Sequence, residues 1–242
     1  MTLADLLDGA FRVIRTRPRT VFGMAAAILF PLALVSAVLR DELHGWTATL
    51  SAAAVGSIAP WLLGGALAAL MTAWYAGREM GAREALVAAG RRFWPLLGAD
   101  LLLLPIKAVA IVLCVIPIVF VSPLFVLSAP AIVVEQLGPV AGPKRSVSLV
   151  SRRYGWVLLD LLVAAVAIGA PAAGLNLLAE SMAKTLADPL RWMVEGTLVA
   201  AIGLIFETAI LSFAVLIYLD LRVRTEGLDL ELGTADAFGR VG

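Results

Sequence analysis

A chain of 242 residues that is 61% hydrophobic and 15% charged, with a mean hydropathy of +0.96, is too apolar for a water-soluble domain, where about 45–50% apolar and about 25% charged is usual. Its net charge of +1, with no basic patch away from membrane edges, excludes nucleic acid as a partner. Its single cysteine, Cys114, excludes an intrachain disulfide.

Membrane lipids are therefore the first expected partners. With about 20 apolar residues needed per crossing, the chain has room for roughly six spans and none for an ordinary soluble domain. The opening segment LADLLDGAFRVIRTRPR (Leu3–Arg19) places Leu3, Leu6, Leu7, Ala10 and Ile14 on one helical face. Asp5, Asp8, Arg12 and Arg15 fall on another, the pattern of a helix lying on a membrane surface. The apolar run Val21–Leu39 predicts the first span; the acidic, lengthy segment before it and the missing cleavage site argue against a secretory signal. His44 falls in the following loop and cannot alone form a metal site.

The second span is predicted at Ser57–Tyr75. Ala52, Gly56, Pro60, Gly64 and Ala68 recur there every four residues, which predicts close helix packing in lipid. A second surface helix is expected in AREALVAAGRRFW (Ala82–Trp94). Leu96–Val134 is too long for one crossing and predicts a hairpin of spans over 96–115 and 118–134, turning near Pro117. Pro117, Pro123 and Pro130 predict that its second arm is kinked or broken, since each ring removes a backbone donor. VAGPKRSVSLVSRRYGW (Val140–Trp156) predicts a third surface helix.

The fifth span is expected at Trp156–Leu178, bent by Pro171, with Ala165, Gly169 and Ala173 on a packing face. A polar loop over Ala179–Gly196 and a sixth span at Leu198–Leu221 follow, and residues 226–242 read as a short cytoplasmic tail. The expected fold is thus an all-α polytopic transmembrane helical bundle. Residues 1–225 form one domain of about six spans with interfacial amphipathic helices. It reads as three units of surface helix plus helical hairpin.

Fifteen of the 19 basic residues fall on the side that holds both ends, with Arg40, Lys184 and Arg191 opposite and Lys107 within the apolar region. Basic residues are retained on the cytoplasmic side. The expected location is the plasma (inner) membrane, multi-pass, with both termini cytoplasmic. Trp74, Trp94 and Trp156 would anchor the cytoplasmic interface, and Trp46 and Trp192 the outer one.

Ionisable groups within lipid are costly and each is a functional hypothesis. Lys107 and Glu207 each lie 15 residues from a cytoplasmic arginine (Arg92, Arg222), roughly 22 Å deep at about 1.5 Å per residue. Two readings stay open: they neutralise each other and fix helix register, or they form a polar site for a headgroup, an ion or a proton. Asp100 and Asp160, at matching depth after the two Arg-Arg pairs, are weaker candidates with an expected structural role. Glu135 and Asp220, at span ends, carry little functional weight. No phosphate-binding loop, zinc-protease motif or nucleophile elbow occurs, so neither an enzyme nor a cofactor or metal is expected.

The stretches LADLLDGAFRVIRTRPR, GRRFWPLLGADLLLL, APAIVVEQLGPVAGPKRSVSLVSRRYGWVL and YLDLRVRTEGLDLEL together resemble the actinobacterial proteins named for a glycerophosphodiester phosphodiesterase membrane domain. The resemblance covers nearly the whole chain and implies a multi-span membrane domain. It implies no activity, because the hydrolase and its His, Glu and Asp motif are lacking. The sequence then supports two functions. One is a non-enzymatic membrane scaffold or accessory subunit with a membrane or cytoplasmic protein partner. The other is a transporter or lipid-handling protein with its polar site at Lys107 and Glu207.

Overall fold

The computed structural model describes residues 3–112, 116–186 and 190–226, with the side chains of residues 107–118 outside that description. Its regular structure is helical throughout. In chain order the helices are α1 (Leu3–Thr16), α2 (Pro18–Glu42), α3 (Gly45–Tyr75), α4 (Ala82–Arg91), α5 (Phe93–Val112), α6 (Ile116–Phe125), α7 (Ser128–Val134), α8 (Ala141–Ser151), α9 (Tyr154–Ala164), α10 (Ala170–Ala183) and α11 (Arg191–Glu226). Among the described residues α2, α3, α9–α10 and α11 are long and apolar enough to cross a membrane, as a multi-pass membrane protein requires.

The order repeats a simple plan. Short helices α1, α4 and α8 each precede an apolar pair: α2 with α3, α5 with α6–α7, and α9–α10 with α11. α11 packs along α2 and α3, so the first and third pairs meet directly, while α7 sits against α3. The end of the bundle holding α1, α4 and α8 is here the basic end; the opposite end holds the α2–α3 turn.

Local chemistry explains the breaks. Pro18, with its fixed φ, starts α2 at a position that needs no N–H. Gly77 closes α3 at φ +70°: its N–H reaches the Trp74 carbonyl (3.0 Å), and the Arg78 N–H reaches that of Ala73 (2.9 Å). Upstream of Pro171, five residues (Ala165–Gly169) widen into a π-turn that joins α9 to α10. α6 and α7 are separated at Val126–Leu127, so the expected proline-broken arm is present. Pro117, where the hairpin turn was expected, lies in the first turn of α6, and residues 113–115 lie outside the described residues.

Lipid cannot satisfy a helix break, and here α8 does so. The Leu127 N–H donates to Ser146 Oγ at 3.2 Å, both buried. α8 was expected on the membrane surface, yet Gly142, Pro143, Ser146, Leu149 and Val150 are buried against protein. A Cβ at Gly142 would overlap Ile132 Cγ1 of α7 and stand 2.8 Å from its Cδ1. Gly142→Ala is therefore expected to cost about 1–2 kcal/mol by overpacking, read as a lowered unfolding midpoint in detergent. An unchanged midpoint would mean that α8 does not seat on α7 in this way.

Two boundaries differ from the sequence reading. α3 begins at Gly45, twelve residues before the expected span, because alanine-rich Ala48–Gly56 has no helix breaker and continues the small-residue face. The polar loop expected over Ala179–Gly196 is shorter, since α10 persists to Ala183, helped by the Glu180–Lys184 pair (2.7 Å), and α11 resumes at Arg191. The face of Ala165, Gly169 and Ala173 does not pack inward: Ala165 and Ala173 are exposed, and no atom lies within 4 Å of a Cβ built at Gly169.

Candidate functional site

The small residues spaced along α3 serve two purposes. Toward the basic end Gly64 and Ala68 of the predicted series are buried, Gly64 in ordinary contact with Leu211 and Ala129, while the tighter approach is at its neighbour Gly65, where a Cβ would stand 2.7 Å from Val133 Cγ2. Toward the opposite end Ala52 and Gly56 instead border a cavity of ≈ 270 Å³ between α2, α3 and α11. α2 contributes Leu29, Leu32, Ala33, Ser36 and Ala37; α11 contributes Gly196, Val199, Ala200 and Gly203. Short side chains on three facing helices leave the space unfilled.

Charge marks both ends of this cavity. At its mouth Arg40 Nη1 meets Glu195 Oε1 at 3.2 Å, the arginine side chain 56% exposed and the glutamate 13%. Twelve residues along α11, about 18 Å further in, Glu207 lines the cavity. The Glu207 carboxylate is half-buried, and among the described residues no hydrogen bond or ion pair reaches it. Its Oε2 lies 3.3 Å from where a Cβ at Gly203 would stand, so glycine there keeps the carboxylate's space open. No described residue of α5 lines the cavity, and the Lys107 side chain, the expected partner of Glu207, lies outside the described residues. The arrangement can hold a cation or a hydrogen-bond donor, or pass a proton.

Asp100 and Asp160 part company. Asp100, 2% exposed on α5, accepts from Ser57 Oγ (2.5 Å) and Trp61 Nε1 (2.9 Å) of α3. It binds one span pair to the next. Asp160 instead lines a ≈ 360 Å³ groove between α1, α9 and α11 at the basic end, together with Arg153, Trp156, Asp220 and Arg224. Arg224 Nε bonds Asp220 Oδ2 at 2.8 Å, whereas Asp160 accepts no hydrogen bond from a described residue.

Glu135 is the residue that the sequence reading undervalued. It caps α7 beside Gln136, which takes a left-handed φ of +56° to end the helix. Glu135 Oε2 receives Arg145 Nε of α8 (2.7 Å), and Glu135 Oε1 receives the Tyr218 hydroxyl of α11 (2.9 Å). Arg145 also reaches Glu226 (2.6 Å), which Arg222 Nε approaches at 3.3 Å. Gln136 Oε1 accepts from Arg92 Nε (2.7 Å). Four elements are thus tied at the basic end. Burial pushes the Glu226 carboxyl up, but the hydrogen bonds and charges of Arg145 and Arg222 outweigh it and hold Glu226 below the usual carboxylate range. A glutamate at a span end looks solvated in sequence; only the meeting of α7, α8 and α11 reveals its role.

Trp94 and Trp156 are 76% and 63% exposed at the basic end, and Trp46 is 83% exposed at the other, as membrane anchors would be. Trp61 and Trp74 are engaged by protein: Trp61 by Asp100, and Trp74 by the Arg17 guanidinium 5.2 Å from its ring. No protein-family model, curated protein or solved structure matches this chain.

Proposed function

We propose that this protein is a non-enzymatic carrier or lipid-handling protein of the plasma (inner) membrane, with six crossings, both termini cytoplasmic, and its polar intramembrane site at Glu207. The carrying observation is the half-buried carboxylate in a cavity that leads to the Arg40–Glu195 pair. A membrane-embedded acid is expensive to maintain, and within bundles such groups mark pathways and binding sites. With the basic end cytoplasmic, the mouth of the cavity faces outward. Kinship with the membrane domains named for glycerophosphodiester phosphodiesterases is part of this reading as architecture, without the activity.

The test is accessibility. In a Cys114→Ser background, Ser36→Cys and Ala33→Cys on the cavity wall are expected to react with a membrane-impermeant thiol reagent applied from outside the cell. Phe213→Cys, at a fully buried position, is the unreactive control. Silence at both wall positions would overturn the proposal. The scaffold reading draws on the arginines and exposed tryptophans of the basic end, a platform for anionic lipid or a partner. A stoichiometric protein in native mass spectra, together with an unreactive cavity, would favour it instead.

A further inference from the structure

We infer that the ligand of the Glu207 cavity is a compact organic ammonium, a group that carries one positive charge with N–H donors and a short apolar substituent. The inference rests on the proposed role of that cavity and adds the chemical class. The charges decide it. Arg40 and Glu195 offset each other at 3.2 Å, so among the described side chains that line the cavity Glu207 is the acid with no opposite charge beside it. An uncompensated carboxylate away from water costs several kcal/mol, and a monovalent cation removes that cost. An anion would meet the Glu207 carboxylate at the inner end.

Other cations fit less well. Calcium and magnesium want six or more oxygen ligands, zinc about four from His, Cys or carboxylates, and among the described residues no group of three His, Cys, Asp or Glu side chains could hold a metal ion. The wall is otherwise alanine, glycine, leucine and valine, and its one hydroxyl, Ser36, donates to the Ala52 carbonyl at 3.4 Å. A sugar or nucleotide would bury hydroxyls without partners there. The ≈ 270 Å³ leaves room for a small amine or an aminoethyl headgroup.

The experiment uses the full chain carrying Cys114→Ser and Ala33→Cys in phosphatidylcholine vesicles, with the rate of labelling by an impermeant maleimide as readout. Ethanolamine at twice its Kd is expected to slow labelling about threefold, by simple occupancy, while acetate does not. Glu207→Gln is expected to label at the parental rate without amine, which reports an intact cavity, and to lose the protection. Replacing part of the phosphatidylcholine by phosphatidylethanolamine distinguishes the sources: protection by the lipid alone identifies a headgroup, and protection by ethanolamine alone a free amine. Labelling that no amine slows, or that acetate slows equally, overturns the ammonium assignment and leaves the cavity reading standing. Protection that emerges only after Lys107→Ala also overturns it, by assigning the Lys107 ammonium as the resident counter-charge. Absence of labelling altogether overturns the cavity reading itself.

Discussion

Asp100→Ala is expected to destabilise the protein by about 2–4 kcal/mol, while Asp100→Asn costs about 1 kcal/mol or less. The aspartate is 2% exposed and receives both Ser57 Oγ and Trp61 Nε1 from the neighbouring span. Hydrogen bonds to a charged acceptor contribute about 1.5–3 kcal/mol each in water-soluble proteins, and a donor left buried without a partner adds its own penalty. Bonds between membrane helices average lower, near 0.6 kcal/mol with a maximum of about 1.7, so two of them together with the unpaired indole donor, at about 1 kcal/mol or more, give the lower end of the range. Asparagine keeps an oxygen for the indole. Ser57 can then donate to the Ala54 carbonyl, already 3.0 Å away, and accept from the new amide. Thermal unfolding in mild detergent would measure both. Equal midpoints for the alanine and wild-type proteins would remove the α3–α5 clasp from this account.

The second large effect belongs to Arg145. Arg145→Met is expected to cost on the order of 2–3 kcal/mol, between the 0–1 of an exposed pair and the 3–5 of a fully buried one. That middle value follows from side chains of Arg145, Glu135 and Glu226 that keep 25%, 17% and 26% of their exposure. Arg145→Lys should recover only part, since an ammonium cannot fork between two carboxylates as guanidinium does. The pH dependence follows from Glu226. Its folded-state carboxyl lies below the ordinary range, so the group's contribution is complete above its unfolded pKa of about 4.3. That contribution disappears as pH falls through the lower folded value. Wild-type stability should therefore decline on acidification in that window, and the decline should shrink in Arg145→Met. Parallel pH profiles for the two proteins would contradict the network.

Much of the architecture was legible because lipid imposes simple rules on sequence. Apolar length marks α2, α3, α9–α10 and α11, proline the broken α6–α7 arm, and amphipathic spacing the short helices before each pair. Less legible was anything decided by which helices meet. The same four-residue spacing carries Ala52, Gly56 and Gly64 along α3, yet Gly64 meets side chains of α7 and α11 while Ala52 and Gly56 border the cavity left by the short side chains of α2 and α11. Glu207 was visible as an acid in an apolar run, but its companion in the cavity, Glu195, lies at the mouth in what reads as loop. The burial of α8 was hidden for the same reason: its amphipathic face serves a lipid surface or a protein surface equally well, and only the all-round burial of α7 decides between them.

The meeting of α11 with α2 has a consequence for biosynthesis. The two helices are separated by about 150 residues, from Glu42 to Arg191. At about 5–20 residues per second, the ribosome takes roughly 8–30 seconds to bridge that interval. Once α3 has been made, the α2–α3 pair spends the rest of that interval with its alanine- and glycine-rich flank uncovered and Arg40 without Glu195. The cavity between α2, α3 and α11 is therefore a late feature of the chain, closed on its third side only when α11 takes its place on that flank.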